Sequence, residues 1–445
     1  MSEQSEKSPP HEYQRFLQSL PTDWNRREIR QLGTVVSGGT PSRDVPSFWR
    51  GAIPWVTLGE LSGNTTKFLQ DTNEHISASG LAGSGANLLP VGSLMVTTRA
   101  TLGARAINAV PMATNQGFKS IIFKDTAEAE FYFHLFEKVQ PELVRRASGT
   151  TFLEIAAAEF SRIEVPSPSS SEKRLITKVL DTLDTAIHET EAIIAKLKAV
   201  KQGLLHDLLT RGIDPNGELR PPQSEAPHLY KPSPLGWIPK EWQIESVVKA
   251  CSDVVDCPHS TPHYQDHGVL VARTMHIKDG MFLDAQASRV SERQYRERIA
   301  RLEPKAGDVI FTREAPVGEA FVIPPGMKIC LGQRVMLLRP MDRRLVAEYL
   351  LAQIYSGTVK DRIATLTSGT TNPHLNVSEV KYFEIPLPPY AEQQRIAERL
   401  RSLELRLQSE MSEHQKLELL KAGLMDDLLT GRVHVTPLLQ EAQHA

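Results

Sequence analysis

The residues whose types could bind a metal are concentrated in one short segment. Cys257, His259, His263 and His267 lie within eleven residues, and thiolate and imidazole are ligands that zinc prefers. A zinc site here would need this one segment to supply every ligand. The matching segment earlier in the chain, 37–41, contains neither Cys nor His. We therefore predict no metal site and interpret these side chains as part of a recognition loop.

Two further patterns resemble catalytic motifs but lack the companions that the chemistry needs. Leu387-Pro388-Pro389-Tyr390 is similar to the Pro-Pro-Tyr motif of amino-methyltransferases, in which an Asn or Asp before the prolines accepts from the target amine. Leucine cannot accept that hydrogen bond, and no glycine-rich cofactor loop accompanies the motif. Asp214 and Glu218 resemble a nuclease carboxylate pair, but they lie in a Pro-rich segment without a third acidic residue. The sequence therefore predicts no catalytic residues.

Basic and small polar side chains in both halves suggest contacts with DNA. Arg and Gln read the edges of guanine and adenine in the major groove, whereas Ser, Thr and Lys commonly hold phosphates. The formal net charge is −2, so any nucleic-acid surface must be local. The candidates are Thr40, Ser42, Arg43, Trp49, Arg99, Arg105, Gln116 and Lys119 in the first half, and Ser260, Thr261, His263, Tyr264, Arg273, Arg313, Gln333 and Arg334 in the second.

Two pairs of candidates occupy matching positions in the two halves. Arg99 matches Arg313, and Gln116 matches Gln333. Both halves keep these residues while much else differs, which favours a role in recognition. A repeated residue can also be kept because the fold needs it, so both interpretations stay open.

These candidates lie in two copies of one unit. Ser148-Gly149-Thr150-Thr151 recurs 220 residues later as Ser368-Gly369-Thr370-Thr371. Between 172–210 and 392–430, 13 of 39 positions are identical without a gap. Elsewhere the offset between matching residues varies, so the loops differ in length. Divergent loops on a repeated scaffold are expected for two related sites that read different targets.

The pattern of apolar residues predicts an α+β protein. Short β-rich runs punctuated by Gly and Pro, together with helical patches, predict two similar globular domains of mixed α/β structure, separated by two long paired helices. The predicted divisions are a polar N-terminal tail (1–20), a first globular domain (21–170), a first helical region (171–212), a Pro-rich linker (213–236), a second globular domain (237–389), a second helical region (390–432) and a tail (433–445).

Both long helices carry a stripe of apolar residues spaced alternately four and three apart. Such a stripe predicts that the two helices pair as an antiparallel coiled coil within one chain. The alternative is that each packs on its own domain as an ordinary amphipathic helix. The residues predicted to pair are Ile176, Leu180, Leu183, Ile187, Leu197, Leu204 and Leu208 on the first helix, and Ile396, Leu400, Leu403, Leu407, Leu417, Leu424 and Leu428 on the second.

The ends and interruptions of the stripes carry further information. Ser169 and Glu172 predict a capping box at the start of the first helix, and Gly212 and Gly431 predict the two helix ends. Polar residues that interrupt the stripes restrict the register of pairing. They are Thr190 and Lys201 on the first helix, and Glu410, His414 and Lys421 on the second.

Several motifs occur together over nearly the whole chain. They are Gly39-Thr40-Pro41-Ser42, Ile53-Pro54-Trp55-Val56, the two Ser-Gly-Thr-Thr turns, Ile385-Pro386-Leu387-Pro388-Pro389 leading into Glu392-Gln393-Gln394-Arg395-Ile396, the helix ends at 203–210 and 423–430, and the link at 236–242. In this combination the chain resembles the DNA-specificity subunit of a type I restriction–modification enzyme. The resemblance implies two target-recognition domains that each read one half of a bipartite, asymmetric DNA site. It also implies that the helices set the spacer between the half-sites.

The resemblance also implies which partners the chain has and which subunit carries each activity. The expected partners are double-stranded DNA, two modification subunits that carry the adenine-methyltransferase activity, and two restriction subunits that translocate and cleave DNA. This chain would be non-catalytic and would bind no cofactor itself. The modification subunits would use S-adenosylmethionine, and the restriction subunits would use ATP with Mg²⁺.

Two other functions were weighed against this one. A stand-alone DNA methyltransferase or nuclease would need a cofactor loop or a carboxylate cluster, and a coiled-coil scaffold without a DNA role would show no salt-dependent DNA binding. Three cysteines, Cys251, Cys257 and Cys330, are too few for a disulfide framework. The sequence has no apolar run of about 18 residues that would suggest a membrane helix. We therefore expect a cytoplasmic protein without a membrane partner.

Overall fold

The computed structural model describes residues 11–62, 66–149, 153–355, 357–368 and 373–435, without the side chains of 357 and 358. The chain divides into two compact units. Unit 1 consists of Met1–Glu191 and Glu413–Ala445, and unit 2 consists of Ala192–Ser412. Each unit therefore takes part of both long helices.

The N-terminal part of unit 1 alternates short helices and strands before the first long helix. Its helices are α1 (Glu12–Gln18), α2 (Ile29–Leu32), α3 (Leu58–Leu61), α4 (Ala78–Ala82), α5 (Ala129–Arg146), α6 (Ala157–Ser161) and α7 (Ser170–Thr210). Its strands are β1 (Asn25–Glu28), β2 (Gly33–Ser37), β3 (Trp49–Val56), β4 (Phe68–Leu69), β5 (His75–Ile76), β6 (Leu94–Thr97), β7 (Arg105–Asn108), β8 (Ala113–Thr114), β9 (Phe118–Phe123) and β10 (Glu164–Ser167).

The strands of unit 1 form a five-stranded sheet, a three-stranded sheet and a two-stranded ribbon. Their orders are β2-β9-β6-β7-β4, β5-β3-β8 and β1-β10. Helix α5 buries Phe131, Leu135, Phe136 and Val139 against the larger sheet. Each such side chain contributes roughly 1.5–3 kcal/mol when fully buried. Helix α1 lies in the segment predicted as a polar tail, yet its Tyr13 joins the same core.

Unit 2 repeats this plan with a hairpin in front. Its strands are β11 (Tyr230–Ser233), β12 (Gly236–Pro239), β13 (Gln243–Ser246), β14 (Cys251–Asp256), β15 (Val269–Ala272), β16 (Ile277–Lys278), β17 (Met281–Phe282), β18 (Arg289–Val290), β19 (Val309–Thr312), β20 (Ala320–Val322), β21 (Ile329–Leu331), β22 (Val335–Pro340) and β23 (Glu384–Leu387). Its helices are α8 (Val247–Ala250), α9 (Glu292–Arg298), α10 (Ala347–Tyr355), α11 (Gly357–Thr367), α12 (Val377–Lys381) and α13 (Tyr390–Leu429).

The two units share their strand connections. The order β14-β22-β19-β20 in unit 2 matches β2-β9-β6-β7 in unit 1, and β18-β15-β21 matches β5-β3-β8. In both three-stranded sheets the central strand pairs antiparallel with one neighbour and parallel with the other. The predicted α+β fold with two similar domains is therefore confirmed, and the duplication is visible in the topology as well as in the sequence.

The segment predicted as a Pro-rich linker is folded onto unit 2. Strands β11 and β12 pair within and beside this segment. Ile213, Ala226 and Tyr230 are buried, and Ile213 joins the core that contains Trp242. This segment is therefore part of the folded unit and includes one strand of a hairpin.

The long helices pair antiparallel within each unit. In unit 1, Asp184 of α7 forms an ion pair with Lys421 of α13, and Glu191 of α7 forms one with His414 of α13. Residues later in α7 therefore pair with residues earlier in α13. In unit 2, Lys201 pairs with Glu404 in the same sense. All fourteen residues predicted for the pairing surface are buried or half-buried, as are the residues that interrupt the stripes.

The polar residues on this seam are repeated as well as the apolar ones. Lys201 and Lys421 occupy equivalent positions in the two copies, and so do Asp184 and Glu404. Each unit therefore contains the same lysine–carboxylate pair between its segments of α7 and α13. An apolar seam with charged pairs at fixed positions restricts the helices to one register.

Candidate nucleic-acid interface

Two loops carry seven of the sixteen residues predicted to contact DNA. Loop A (residues 38–48) follows β2, which is the edge strand of its sheet in unit 1. Loop B (residues 257–268) follows β14, the corresponding edge strand in unit 2. Loop A holds Thr40, Ser42 and Arg43, and loop B holds Ser260, Thr261, His263 and Tyr264.

Loop A is held by side chains that donate to its backbone. The indole N–H groups of Trp55 and Trp49 donate to the carbonyls of Gly39 at 2.9 Å and Ser42 at 3.0 Å. The Thr40 hydroxyl donates to the side chain of Gln116. Two donors from β3 and one acceptor from Gln116 thus fix the path of a loop whose Thr40, Ser42 and Arg43 side chains are exposed.

Arg43 stands on an aromatic platform in loop A. Its guanidinium carbon lies 3.7 Å from the centre of the Trp49 ring, and Trp49 packs edge-on against Trp55 with 5.0 Å between ring centres. The Arg43 Nη2 donates to Glu74 Oε2 at 2.8 Å. The hydrogen bonds from Arg43 hold the pKa of Glu74 below its usual value. Arg43 is therefore exposed but held in one orientation.

Replacing Arg43 by alanine is expected to weaken recognition by unit 1 and to cost about 1 kcal/mol of stability. An exposed ion pair and an exposed cation–π contact are each worth roughly 0.5–1 kcal/mol. Arg43→Lys keeps the charge but loses the planar fork and the stacking, so it should rescue only part of the effect. DNA-binding titrations and thermal unfolding of both variants test this, and full rescue by lysine would contradict a role for the fork.

Loop B is held by a residue that the sequence did not single out. Arg298, at the end of α9, is buried. Its guanidinium donates to the carbonyl of Leu331 at 2.6 Å, to that of Ser260 at 3.0 Å and to that of Pro258 at 3.4 Å. Several arginines lie between 293 and 301, and nothing in their spacing distinguishes this one. Its role depends on contacts with residues more than thirty positions away.

The repeated glutamines play matching parts in the two units. Gln116 accepts from Thr40 in loop A, and the Gln333 amide donates to the carbonyl of His259 in loop B at 2.9 Å. Gln116 is exposed and Gln333 is half-buried. Each glutamine therefore contacts the loop of its own unit, which gives both a reason to be retained in each copy.

The repeated arginines lie deeper than the loops. Arg313 is buried, and it donates to the carbonyl of Leu375 at 2.9 Å and to Asp256 at 3.0 Å. Arg99 is half-buried, with its Nε 3.9 Å from Glu154. Lys119 also approaches Glu154, at 3.8 Å. Arg99 and Lys119 thus connect the five-stranded sheet of unit 1 to Glu154, between α5 and α6. Arg313 makes the corresponding contact in unit 2, with Leu375 between α11 and α12.

Burial affects the charge of Lys119. It lowers the pKa of the Lys119 ammonium, and the nearby Glu154 carboxylate opposes this shift. The side chain is 5% exposed. A phosphate could reach this ammonium only if the surrounding segment moved.

The remaining candidates are divided between the surface and internal contacts. Arg105 donates to Phe133 and Glu137 of α5. In unit 2, Arg273 lies over the ring of Tyr264 at 4.7 Å and donates to Ser288 at 3.1 Å. Arg334 is exposed and lies 3.1 Å from Glu314. The exposed candidates are Thr40, Ser42, Arg43 and Gln116 in unit 1, and Ser260, Thr261, His263 and Arg334 in unit 2.

The residues considered in the sequence for metal binding or catalysis do not form a shared cluster in the described part of the chain. Cys257 is buried whereas His259, His263 and His267 are exposed. Among the residues that the structure describes, the two groups of possible ligand atoms within 4.8 Å of one another lie elsewhere, in unit 1. Asp214 accepts from the backbone N–H of Glu218 at 2.9 Å, as in a turn. Leu387 ends β23 and is buried.

Comparisons with known proteins agree on one family. The family model of the type I restriction modification DNA specificity domain matches residues 21–199 and 282–420. The type I restriction enzyme MjaIX specificity subunit of Methanocaldococcus jannaschii is 24% identical over 429 residues, which cover 94% of this chain and 95% of that protein. The MjaVIII specificity subunit of the same organism is 23% identical over 440 residues, with the same coverage.

The fold also agrees with a solved structure. The crystal structure of a type I restriction–modification S subunit from M. genitalium covers 92% of this chain and 98% of its own, with a TM-score of 0.57 at 14% identity. In the ranges that the structure describes, the search for a helix long and apolar enough to span a bilayer found none.

Proposed function

Because this chain belongs to the family of type I restriction–modification DNA-specificity subunits, we propose that units 1 and 2 each read one half of a bipartite, asymmetric DNA target. One observation carries the proposal. The units share one topology, yet loops A and B differ in length and composition and, apart from the repeated glutamines, are held by different side chains. A conserved scaffold with separately supported loops suits two readers of different base sequences.

Loops A and B are the proposed reading elements. Their exposed Ser, Thr, His and Arg side chains suit contacts with phosphates and with base edges. Hydrogen bonds hold these loops in place, and they come from the side chains of Trp49, Trp55, Gln116, Arg298 and Gln333. Recognition then depends on two classes of residue, those that touch DNA and those that hold the loop in place.

The paired helices are proposed to fix the number of base pairs between the half-sites. Support comes from the antiparallel pairing in each unit and from the lysine–carboxylate pair that is repeated in each unit. A register held by both an apolar seam and ion pairs resists sliding. The bases of the spacer would then remain unread.

A matched insertion tests the spacer proposal. Seven residues added between Glu191 and Ala192, together with seven added between Ser412 and Glu413, lengthen both helices while keeping the seam in register. Each insertion adds about 10 Å at 1.5 Å per residue. We expect the preferred spacer to grow by about three base pairs, since base pairs are stacked roughly 3.4 Å apart. Mapping of methylated adenines in DNA modified by the reconstituted complex measures the spacer.

The control for this experiment is an insertion in one helix only. It should prevent the Lys201–Glu404 and Asp184–Lys421 pairs from forming in one common register, and so reduce the stability and activity of the complex without defining a new spacer. Both half-site sequences should stay unchanged in the matched variant. An unaltered spacer in an active matched variant would refute the proposal that the helices measure distance.

The proposed partners are two modification subunits and, in the complete enzyme, two restriction subunits. The outer faces of the helices support docking, because Val200 and Leu420 occupy equivalent positions and are both about half exposed. The modification subunits would supply S-adenosylmethionine-dependent adenine methylation. The restriction subunits would supply ATP- and Mg²⁺-dependent translocation and cleavage. Salt-dependent DNA binding of the chain with modification subunits, and no methylation by the chain alone, is the expected result.

A further inference from the structure

The two long helices begin with equivalent glutamates that have different surroundings. In unit 2, Glu392 is 3% exposed. It accepts from Arg220 at 3.1 Å, from the backbone N–H of Ile213 at 2.9 Å and from the indole N–H of Trp242 at 3.2 Å. The end of α7 thus returns to the start of α13, and a buried arginine balances the charge of the carboxylate.

Unit 1 has the same junction without that arginine. Glu172 starts α7 as Glu392 starts α13, and it is 7% exposed. Its Oε2 accepts from the backbone N–H of Ser169 at 3.1 Å, and the Ser169 hydroxyl accepts from the Glu172 N–H at 3.3 Å, which confirms the predicted capping box. Among the ion pairs of the described residues, none joins Glu172 to a Lys or Arg. The sequence after Arg432 contains neither residue type.

Two other possible ligands converge on Glu172 instead. A ligand atom of Asp23, one of Glu172 and one of His434 all lie within 4.8 Å of one another. Asp23 precedes β1, and His434 follows the end of α13. Arg432, the basic residue nearest to His434 in sequence, forms its ion pairs with Asp426 and Asp427. Two carboxylates and an imidazole therefore meet where unit 2 has a guanidinium.

A buried donor lies at the same junction. Trp24 is equivalent to Trp242 and is 7% exposed. Its indole N–H has no hydrogen-bond partner in the described part of the chain, whereas that of Trp242 donates to Glu392. Trp24 lies close to the end of α13. A Cβ built on Gly431, which follows that helix and has φ +68°, would lie 3.3 Å from Cε2 of Trp24, the carbon bonded to the indole nitrogen. An unpartnered buried N–H calls for an acceptor at this place.

We propose that Asp23, Glu172 and His434 bind a divalent transition-metal ion, which takes the place that Arg220 has in unit 2. One imidazole and two carboxylates suit Zn²⁺ and similar borderline cations better than Ca²⁺, which prefers oxygen ligands alone. The ligand bonds are about 2.0–2.2 Å long, so small rotations of the exposed Asp23 and His434 side chains bring the three atoms onto one ion. A water on the ion would accept from the Trp24 indole.

Unit 1 contains a second cluster of possible metal ligands, but lysines already pair with its carboxylates. His134, Asp181 and Asp184 also lie within 4.8 Å of one another. There, however, Lys67 donates to Asp181 at 2.7 Å, and Lys421 pairs with Asp184. Ammonium groups already balance those carboxylates, so this group leaves no charge for a metal to neutralise.

Binding of Zn²⁺ to the metal-free full-length chain, measured by isothermal titration calorimetry, tests the proposal. We expect one ion per chain and a higher melting temperature with Zn²⁺ than with EDTA, because the ion joins three segments of the folded state only. Loss of a partner outside the ligand shell typically weakens metal affinity by about 10–100-fold. Loss of a ligand in His434→Ala or Asp23→Asn should therefore weaken Zn²⁺ binding at least as much and remove the thermal shift.

Two histidine variants serve as matched controls. His414→Ala removes a histidine from α13, the helix that precedes His434, and should leave Zn²⁺ binding unchanged. His259→Ala tests loop B, where Cys257 offers a thiolate, and Co²⁺ substitution would show a thiolate charge-transfer band if that loop were the site. The proposal is overturned if the chain binds none of Zn²⁺, Co²⁺ and Mn²⁺, or if only His259→Ala abolishes binding.

Discussion

Glu392→Ala is expected to destabilise unit 2 by about 3–5 kcal/mol, the usual cost of leaving one partner of a buried ion pair alone. Arg220 is 8% exposed and would keep its charge without its carboxylate. The indole N–H of Trp242 and the backbone N–H of Ile213 would lose their acceptor in the same step. Denaturant unfolding of the full-length chain, followed by tryptophan fluorescence, measures the loss.

Two further variants separate the charge effect from the loss of helix capping. The double variant Glu392→Ala with Arg220→Met should recover much of the stability, because replacing a whole buried pair by apolar groups is often neutral. Glu172→Ala in EDTA should cost only about 1 kcal/mol, the typical value of a cap. If Glu172→Ala and Glu392→Ala proved equally damaging under these conditions, the buried arginine would not be the cause.

Arg298→Ala is expected to reduce recognition of the unit 2 half-site by about 100-fold, while recognition of the unit 1 half-site stays intact. Hydrogen bonds from a charged donor contribute roughly 1.5–3 kcal/mol each, and Arg298 makes three to backbone carbonyls of loop B and β21. A tenfold change in affinity corresponds to about 1.4 kcal/mol. A 100-fold loss of affinity therefore corresponds to about 2.8 kcal/mol, which is less than the three hydrogen bonds contribute together.

The half-sites can be scored separately in one experiment. The complex methylates a DNA library in which one half-site is varied at a time, and sequencing of the modified molecules gives the preference at each base. Arg296→Ala changes an exposed arginine of the same helix and should leave both preferences unchanged. Equal loss at both half-sites in Arg298→Ala would contradict independent reading by the two units.

The long helices and their seam were the most predictable part of the fold. A repeat of four and three residues depends only on helix geometry, so spacing alone placed Leu180 and Ile396 on the buried face. The capping box at Ser169 and Glu172 is similarly local. The stops at Gly212 and Gly431 follow because both adopt positive φ, at +67° and +68°, where glycine is favoured.

The support of the loops was not predictable from one sequence. Arg298 acts on residues 33–40 positions away, and in sequence it resembles its exposed neighbours. The Pro-rich segment shows a related limit. Its prolines suggested a linker, but Pro232 lies in a two-stranded ribbon, where every strand is an edge and a missing N–H is tolerated.

The repeated lysine–carboxylate pair has a consequence for how the two copies of the unit pair. Lys201 and Lys421 occupy one position of the repeated unit, and Glu404 and Asp184 occupy another. Each pair joins a residue from one copy to a residue from the other. A chain with a single copy of the unit would therefore find the same partners in a second molecule of itself. The present chain is thus equivalent to such a homodimer joined into one polypeptide, in which each half can change without the other.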